Sequence, residues 1–126
     1  MQCTNTFTNF ADKIRALHYN EQSNSVFVVS QQLHTVSLES NTLQPISYKC
    51  PTSCGSIYGV TSSDGLAFVG RADGTVHVVD FKSQKLVSTL KHHKDTVKCL
   101  CVDDGLLYTT SYDGTLAVWD YRSKKP

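Results

Sequence analysis

A stretch of fifteen residues occurs twice in this chain, 40 positions apart and without a gap. Leu66, Asp73, Gly74, Thr75, Val78 and Asp80 recur as Leu106, Asp113, Gly114, Thr115, Val118 and Asp120. Upstream, Ile57 answers to Val97, and Ser63-Asp64-Gly65 to Asp103-Asp104-Gly105. A looser third copy precedes them, with Ile14–Tyr19, Val26–Val29 and His34–Glu39 falling where the others place their apolar runs. Three copies fill almost the whole chain. Self-similarity at this period belongs to folds that stack one small unit repeatedly, each burying its apolar face on the next.

Each copy reads as short strands between turn residues. Asp64-Gly65 and Asp104-Gly105 join two apolar runs, and Asp73-Gly74 and Asp113-Gly114 join the next two. Asp-Gly between β-rich segments is a hairpin signal because such turns need positive φ. Runs such as Val76–Val79 and Leu106–Thr110 are β-branched or aromatic, and no helical stripe of useful length appears. The prolines, Pro45, Pro51 and Pro126, interrupt no expected central strand. The expected class is all-β, in four-stranded antiparallel units of about 40 residues.

The remaining composition narrows the partners. Twelve basic against eleven acidic residues leave no global field for nucleic acid or an anionic membrane, and the balance holds in both halves of the chain. No run is long and apolar enough to span a bilayer, and Met1–Asn5 lacks the start of a secretory signal. Five cysteines in no disulfide-framework spacing point to reduced thiols, hence to the cytoplasm or nucleus.

The third copy carries the residues that suggest a family. His92-His93-Lys94-Asp95-Thr96-Val97 leads it, Ser111-Tyr112-Asp113-Gly114-Thr115 forms its second turn, and Val118-Trp119-Asp120 ends it. This closely resembles the WD40 repeat, whose pattern is Gly-His, three residues, Val, then Ser-x-Asp-Gly-Thr and Trp-Asp; only the Gly is replaced, by His92. The resemblance covers roughly residues 4 to 121. The second copy departs from the pattern, with Val79 where Trp119 stands, Ser53 where His93 stands and Arg71 where Ser111 stands. The first copy offers Gln31-Gln32-Leu33 in place of the Asp-Gly turn. The resemblance implies β-propeller blades of four antiparallel strands: the first about 9–48, the second about 54–90 and the third about 94–121.

It also implies roles for particular residues. His93, Thr109, Asp113 and Trp119 would form a structural hydrogen-bonded set in the third blade, with Ser111 as the alternative hydroxyl to Thr109. The same residues could be misread as a nucleophilic triad, but each has a packing role in the family, and no catalytic residue or cofactor is expected. Cys50 and Cys54, or Cys99 and Cys101 with His92 and His93, lack the close paired spacing of a zinc site. Cys99 and Cys101 are expected to share a strand face and pack between blades. The basic run Lys91 to Lys98 is expected to be a solvated loop, and Arg122 to Lys125 a frayed terminus.

Propellers of this family bind partners on the face bearing the loops that lead into each blade, here termed the upper face. Carried over by position, the candidates are Arg15, Tyr58 and Lys98 at the blade starts, with Arg71 and Tyr112 beside the turns. Arg and Tyr are residue types enriched at binding hot spots. Arg71 could equally fill the space left by a missing polar set. Gln84 and Lys85 should lie away from this face. The expected function is a non-catalytic scaffold or assembly subunit that binds proteins or peptides, with a peptide or phosphopeptide reader as the alternative. Three blades fall short of the usual four to eight. Either two copies close a ring, each lending residues 3–8 as the outer strand of the other's third blade, or the remaining blades come from other or longer polypeptide.

Overall fold

The structure is a computed structural model that describes residues 1–8, 10, 13–48 and 55–122. Its strands form three antiparallel sheets, each a meander in which sequence neighbours are sheet neighbours. The first sheet holds β1 (Ala16–Asn20), β2 (Ser25–Val29), β3 (Leu33–Ser37) and β4 (Thr42–Ile46). The second holds β5 (Ile57–Ser63), β6 (Leu66–Arg71), β7 (Thr75–Asp80) and β8 (Lys85–Lys91). The third holds β9 (Val97–Asp103), β10 (Leu106–Ser111) and β11 (Leu116–Asp120), so among the described residues it has three strands, with β11 at its edge.

The turns explain why Asp-Gly recurs. Asp64 and Gly65 have φ of 55° and 77°, and Asp104 and Gly105 have 50° and 78°, the left-handed pair a two-residue hairpin demands. The second pair of dipeptides departs from that expectation. There only Gly74 and Gly114 take positive φ, at 89° and 85°, because the turn is one residue longer and closes from Gly74 N to Arg71 O and from Gly114 N to Ser111 O. The Asp serves instead as a cap: Asp73 Oδ1 accepts from Thr75 N and Oγ1 at 3.0 and 2.6 Å, and Asp113 Oδ1 from Thr115 N and Oγ1 at 2.9 and 2.6 Å. The first sheet uses Asn24 and Asn41 in the left-handed region, the non-glycine type that tolerates it best.

β1 touches β5, and β5 touches β9, so the three sheets fan out from their first strands with β4 and β8 outermost. Two apolar cores fill the spaces between sheets. Phe27, Val29, Leu33 and Ile46 meet Val60, Ala67, Val69 and Val79 between the first and second. Phe68, Val76 and Val78 meet Val97 and Leu107 between the second and third. Alternation along β6 sends Ala67 and Val69 one way and Phe68 the other, which lets one sheet serve both cores. The approach of the second and third sheets is close enough to require glycine: a Cβ on Gly70 would lie 2.6 Å from the Val97 carbonyl oxygen.

Polar ties reinforce the cores. Buried Asn20 donates to Ser62 Oγ at 2.6 Å across the first interface. Asp64 accepts from Arg122 Nε and Nη2 and from Tyr121 Oη across the second, at 3.0, 2.8 and 3.1 Å. Arg122 is therefore held rather than frayed as expected; residues 123–126 lie outside the described set. Gln84 is likewise no bystander, since its Oε1 accepts from Ser47 N at 3.2 Å and ties the first sheet to the second. Cys99 and Cys101 do share a face, but they are exposed rather than packed between blades, because theirs is the face of the third sheet turned away from the second.

Candidate functional site

The third sheet gathers its four polar residues into one set. Trp119 Nε1 donates to Thr109 Oγ1 at 3.0 Å, and the same hydroxyl lies 2.8 Å from His93 Nε2. With that Oγ1 accepting from the indole, its own proton points to Nε2, which leaves the imidazole Nδ1–H facing Asp113 Oδ2 at 3.2 Å. Thr115 Oγ1 lies 3.1 Å from the same Nδ1, a member that sequence reasoning had not included. Ser111 stands apart, donating to the Asp95 carbonyl at 3.0 Å and accepting from Asp113 N at 3.1 Å. Asp113 also accepts from Lys94 N at 2.9 Å. The Thr115 hydroxyl, then the Lys94 amide, hold its carboxyl far below the usual carboxylate range, so it stays ionised at neutral pH. Thr109 has no exposed surface, so its hydroxyl cannot meet a substrate and the triad reading fails on access.

The second sheet builds a different set in the equivalent place. Arg71 Nη1 donates to Tyr48 Oη at 2.8 Å, and that hydroxyl lies 2.8 Å from His77 Nδ1. Arg71 Nη2 donates to the Gly55 carbonyl at 2.5 Å. The guanidinium is thus committed to the space left by the absent WD40 residues. Burial, and next the Arg71 charge, push the His77 imidazole down to about 4, so it is neutral at pH 7 and can accept the Tyr48 proton. Sequence reasoning missed Tyr48 and His77. A histidine inside the apolar run Val76–Val79 was the available signal, since a buried imidazole needs a partner. Nothing in the sequence pointed to Tyr48.

The five upper-face candidates divide in three. Arg15, Tyr58 and Lys98 come together where β1, β5 and β9 begin: the Arg15 guanidinium lies 4.8 Å from the Tyr58 ring centroid and the Lys98 ammonium 5.9 Å. Lys98 Nζ also donates to the Arg15 carbonyl at 3.4 Å, and Arg15 Nη1 to that of Ser30 at 2.9 Å. Both cations are thus drawn to the same aromatic ring, which offsets part of their repulsion. Arg71 is placed with Tyr48 instead. Tyr112 is 63% exposed beside the second turn, with its backbone N–H bonded to Thr96 O at 3.0 Å. Among the described residues no His, Cys, Asp or Glu cluster could hold a metal; Cys50, Ser53 and Cys54 lie outside that set.

Comparison with known proteins agrees with this geometry. The family model described as "WD domain, G-beta repeat" matches residues 84–120. No curated protein matches the chain in sequence. Among solved structures, a chain of the Mitotic Checkpoint Complex superposes with a TM-score of 0.77 at 22% identity, over 91% of this chain and 36% of that one. The WD40 β-propeller domain of Doa1 gives 0.80 at 21% identity, over 95% and 41%. The computationally designed Ika4 protein gives 0.57 at 17% identity, over 90% and 94%. This chain therefore spans about a third of the checkpoint-complex chain and about two fifths of the Doa1 chain. At such identities the likeness speaks to fold. Residues 84–120 thus match a WD40 repeat, and the chain as a whole has the β-propeller fold of its WD40 neighbours.

Proposed function

We propose that this chain is a non-catalytic interaction scaffold that takes a partner protein on its upper face, around Tyr58. WD40 propellers are in general protein-binding scaffolds. The observation that carries the more specific reading is the stack of Arg15 and Lys98 on Tyr58 at the starts of three neighbouring strands. Strand ends fix these groups in place, so a partner meets two positive charges and an aromatic edge at little entropic cost. The surface suits a peptide segment with a carboxylate or phosphate, and a reducing compartment suits the exposed thiols of Cys99 and Cys101.

Lys98→Glu and Tyr58→Ala should each weaken capture of a partner identified by affinity purification, by about tenfold or more if they are hot spots. The melting temperature should barely move. Lys85→Glu on the outermost strand of the second sheet is the control and should bind normally; Gln84 is unsuitable because it bridges two sheets. Equal loss from Lys85→Glu would place the binding surface elsewhere. Loss of binding after phosphatase treatment of the partner would narrow its chemistry to a phosphopeptide.

A further inference from the structure

The contact between the first and second sheets closes on apolar side chains and opens into a cleft at the upper face. Gln31 and Gln32, in the turn between β2 and β3, stand exposed on one side of the opening, and Arg71, at the end of β6, lines the other. Between them lies a space of about 180 Å³ floored by Leu33, Ile46 and Ile57, all 5% exposed or less. Tyr48 completes the wall. Small-molecule sites commonly span about 300–1,000 Å³, so this smaller cleft suits a single side chain of a partner. It opens near the Tyr58 stack, since Arg71 pairs across the sheet with Ile57, the residue before Tyr58.

Arg71 is held in a way that leaves it short of acceptors. A guanidinium carries five N–H groups and is always charged. Here Nη1 donates to Tyr48 Oη and Nη2 to the Gly55 carbonyl, while the Nε–H is buried with no acceptor. Both acceptors are neutral groups. Among the described residues no carboxylate pairs with Arg71; Asp73, two positions on, turns Oδ1 to Thr75 N and Oγ1. The two Nη groups thus keep one N–H each, and the whole charge, for a ligand in the cleft. The bonds to Tyr48 and Gly55 fix the guanidinium beforehand, so little side-chain freedom is lost when an anion arrives. Partial burial strengthens the ion pair over one at an open surface.

We propose that this cleft takes the side-chain carboxylate of an acidic residue from the partner bound at the upper face, a reading that rests on the scaffold function above and adds a second anchor to it. Among the described residues lining the cleft Arg71 alone is charged, and His77, behind Tyr48, is neutral at pH 7. One cation balances one carboxylate, whereas a phosphate group, at about −1.5 to −2, is commonly met by a cluster of arginines. Leu33, Ile46 and Ile57 cover the methylenes of the incoming side chain, which favours glutamate over aspartate. The side-chain amides of Gln31 and Gln32 at the rim are further donors for its oxygens.

Panning random short peptides over the chain supplies the probes. Retained peptides should share an acidic residue, and a synthetic copy with glutamine in place of that acid should bind about tenfold or more weakly, as when a charge-assisted pair is lost. Arg71→Gln should bind the glutamate and glutamine copies alike. Gln32→Glu alters an exposed side chain, so it should weaken the glutamate copy by a similar factor at an unchanged melting temperature, and it decides alone should Arg71→Gln fail to fold. Tyr58→Ala separates this proposal from the scaffold reading: it should weaken both copies equally and keep the preference for glutamate. A preference that survives Arg71→Gln and Gln32→Glu but disappears in Tyr58→Ala would put the acid at the stack, ending the cleft proposal while the scaffold reading stands. Retention of no peptide would end both. A phosphoserine copy that binds more tightly than the glutamate one would overturn the assignment to a carboxylate.

Discussion

Phe68→Ala should lower the stability of the chain by about 3–5 kcal/mol, the range for a buried aromatic truncated where its surroundings cannot collapse. Its ring has no exposed surface and lies among Val76, Val78, Val97 and Leu107, with the Tyr121 ring centroid 5.0 Å from its own. The cavity would open against the second sheet, which is braced on its far side by the first, so relaxation there is limited. Against a total of about 5–15 kcal/mol for an ordinary domain, the variant should be largely unfolded at physiological temperature. Tyr108→Ala is the matched comparison, one repeat on and on the open face. It should cost no more than about 1 kcal/mol in a urea melt. Similar losses at both positions would mean that the two faces are not in the different environments described.

Thr109→Val should cost about 2–4 kcal/mol despite conserving volume, since it strands two groups that each lose about 1–3 kcal/mol when buried without a partner. The Trp119 N–H would lose its acceptor and His93 Nε2 its donor, both toward a residue with no exposed surface. Because Trp119 is the only tryptophan, its fluorescence reports the damage directly. Ser111→Ala removes a hydroxyl bonded only to the Asp95 carbonyl and Asp113 N–H near the surface, and should cost about 1 kcal/mol or less. If the two variants melted alike, the choice of Thr109 as the hub would be wrong.

Most of the architecture was legible in the sequence because it is written as repetition. Asp-Gly at fixed spacing sets the hairpins, and a period of two in Leu66–Arg71 and Thr75–Asp80 sets which side chains enter which core. The polar set of the third blade was legible for the same reason, its members standing at family positions. What escaped was whatever a degenerate repeat improvises. Arg71 read equally well as a binding residue or as a space filler. Its partners, Tyr48 and His77, lie 23 residues apart in sequence from Arg71 and six from it respectively, and only the fold brings all three together. The positive-φ expectation failed at Asp73 and Asp113 because Asp-Gly serves two turn types, one of which uses the Asp as a cap. Cys99 and Cys101 were assigned to the correct face, but alternation cannot say whether another sheet covers it.

Amide exchange followed residue by residue, with and without the partner recovered by affinity purification, tests the upper-face surface around Tyr58 most directly. Binding should slow the amides where β1, β5 and β9 begin, at Ala16, Tyr58 and Lys98, while those of β8, Lys85–Lys91, keep their rates. Unchanged rates at Tyr58 and Lys98, or slowing confined to β8, would contradict the account.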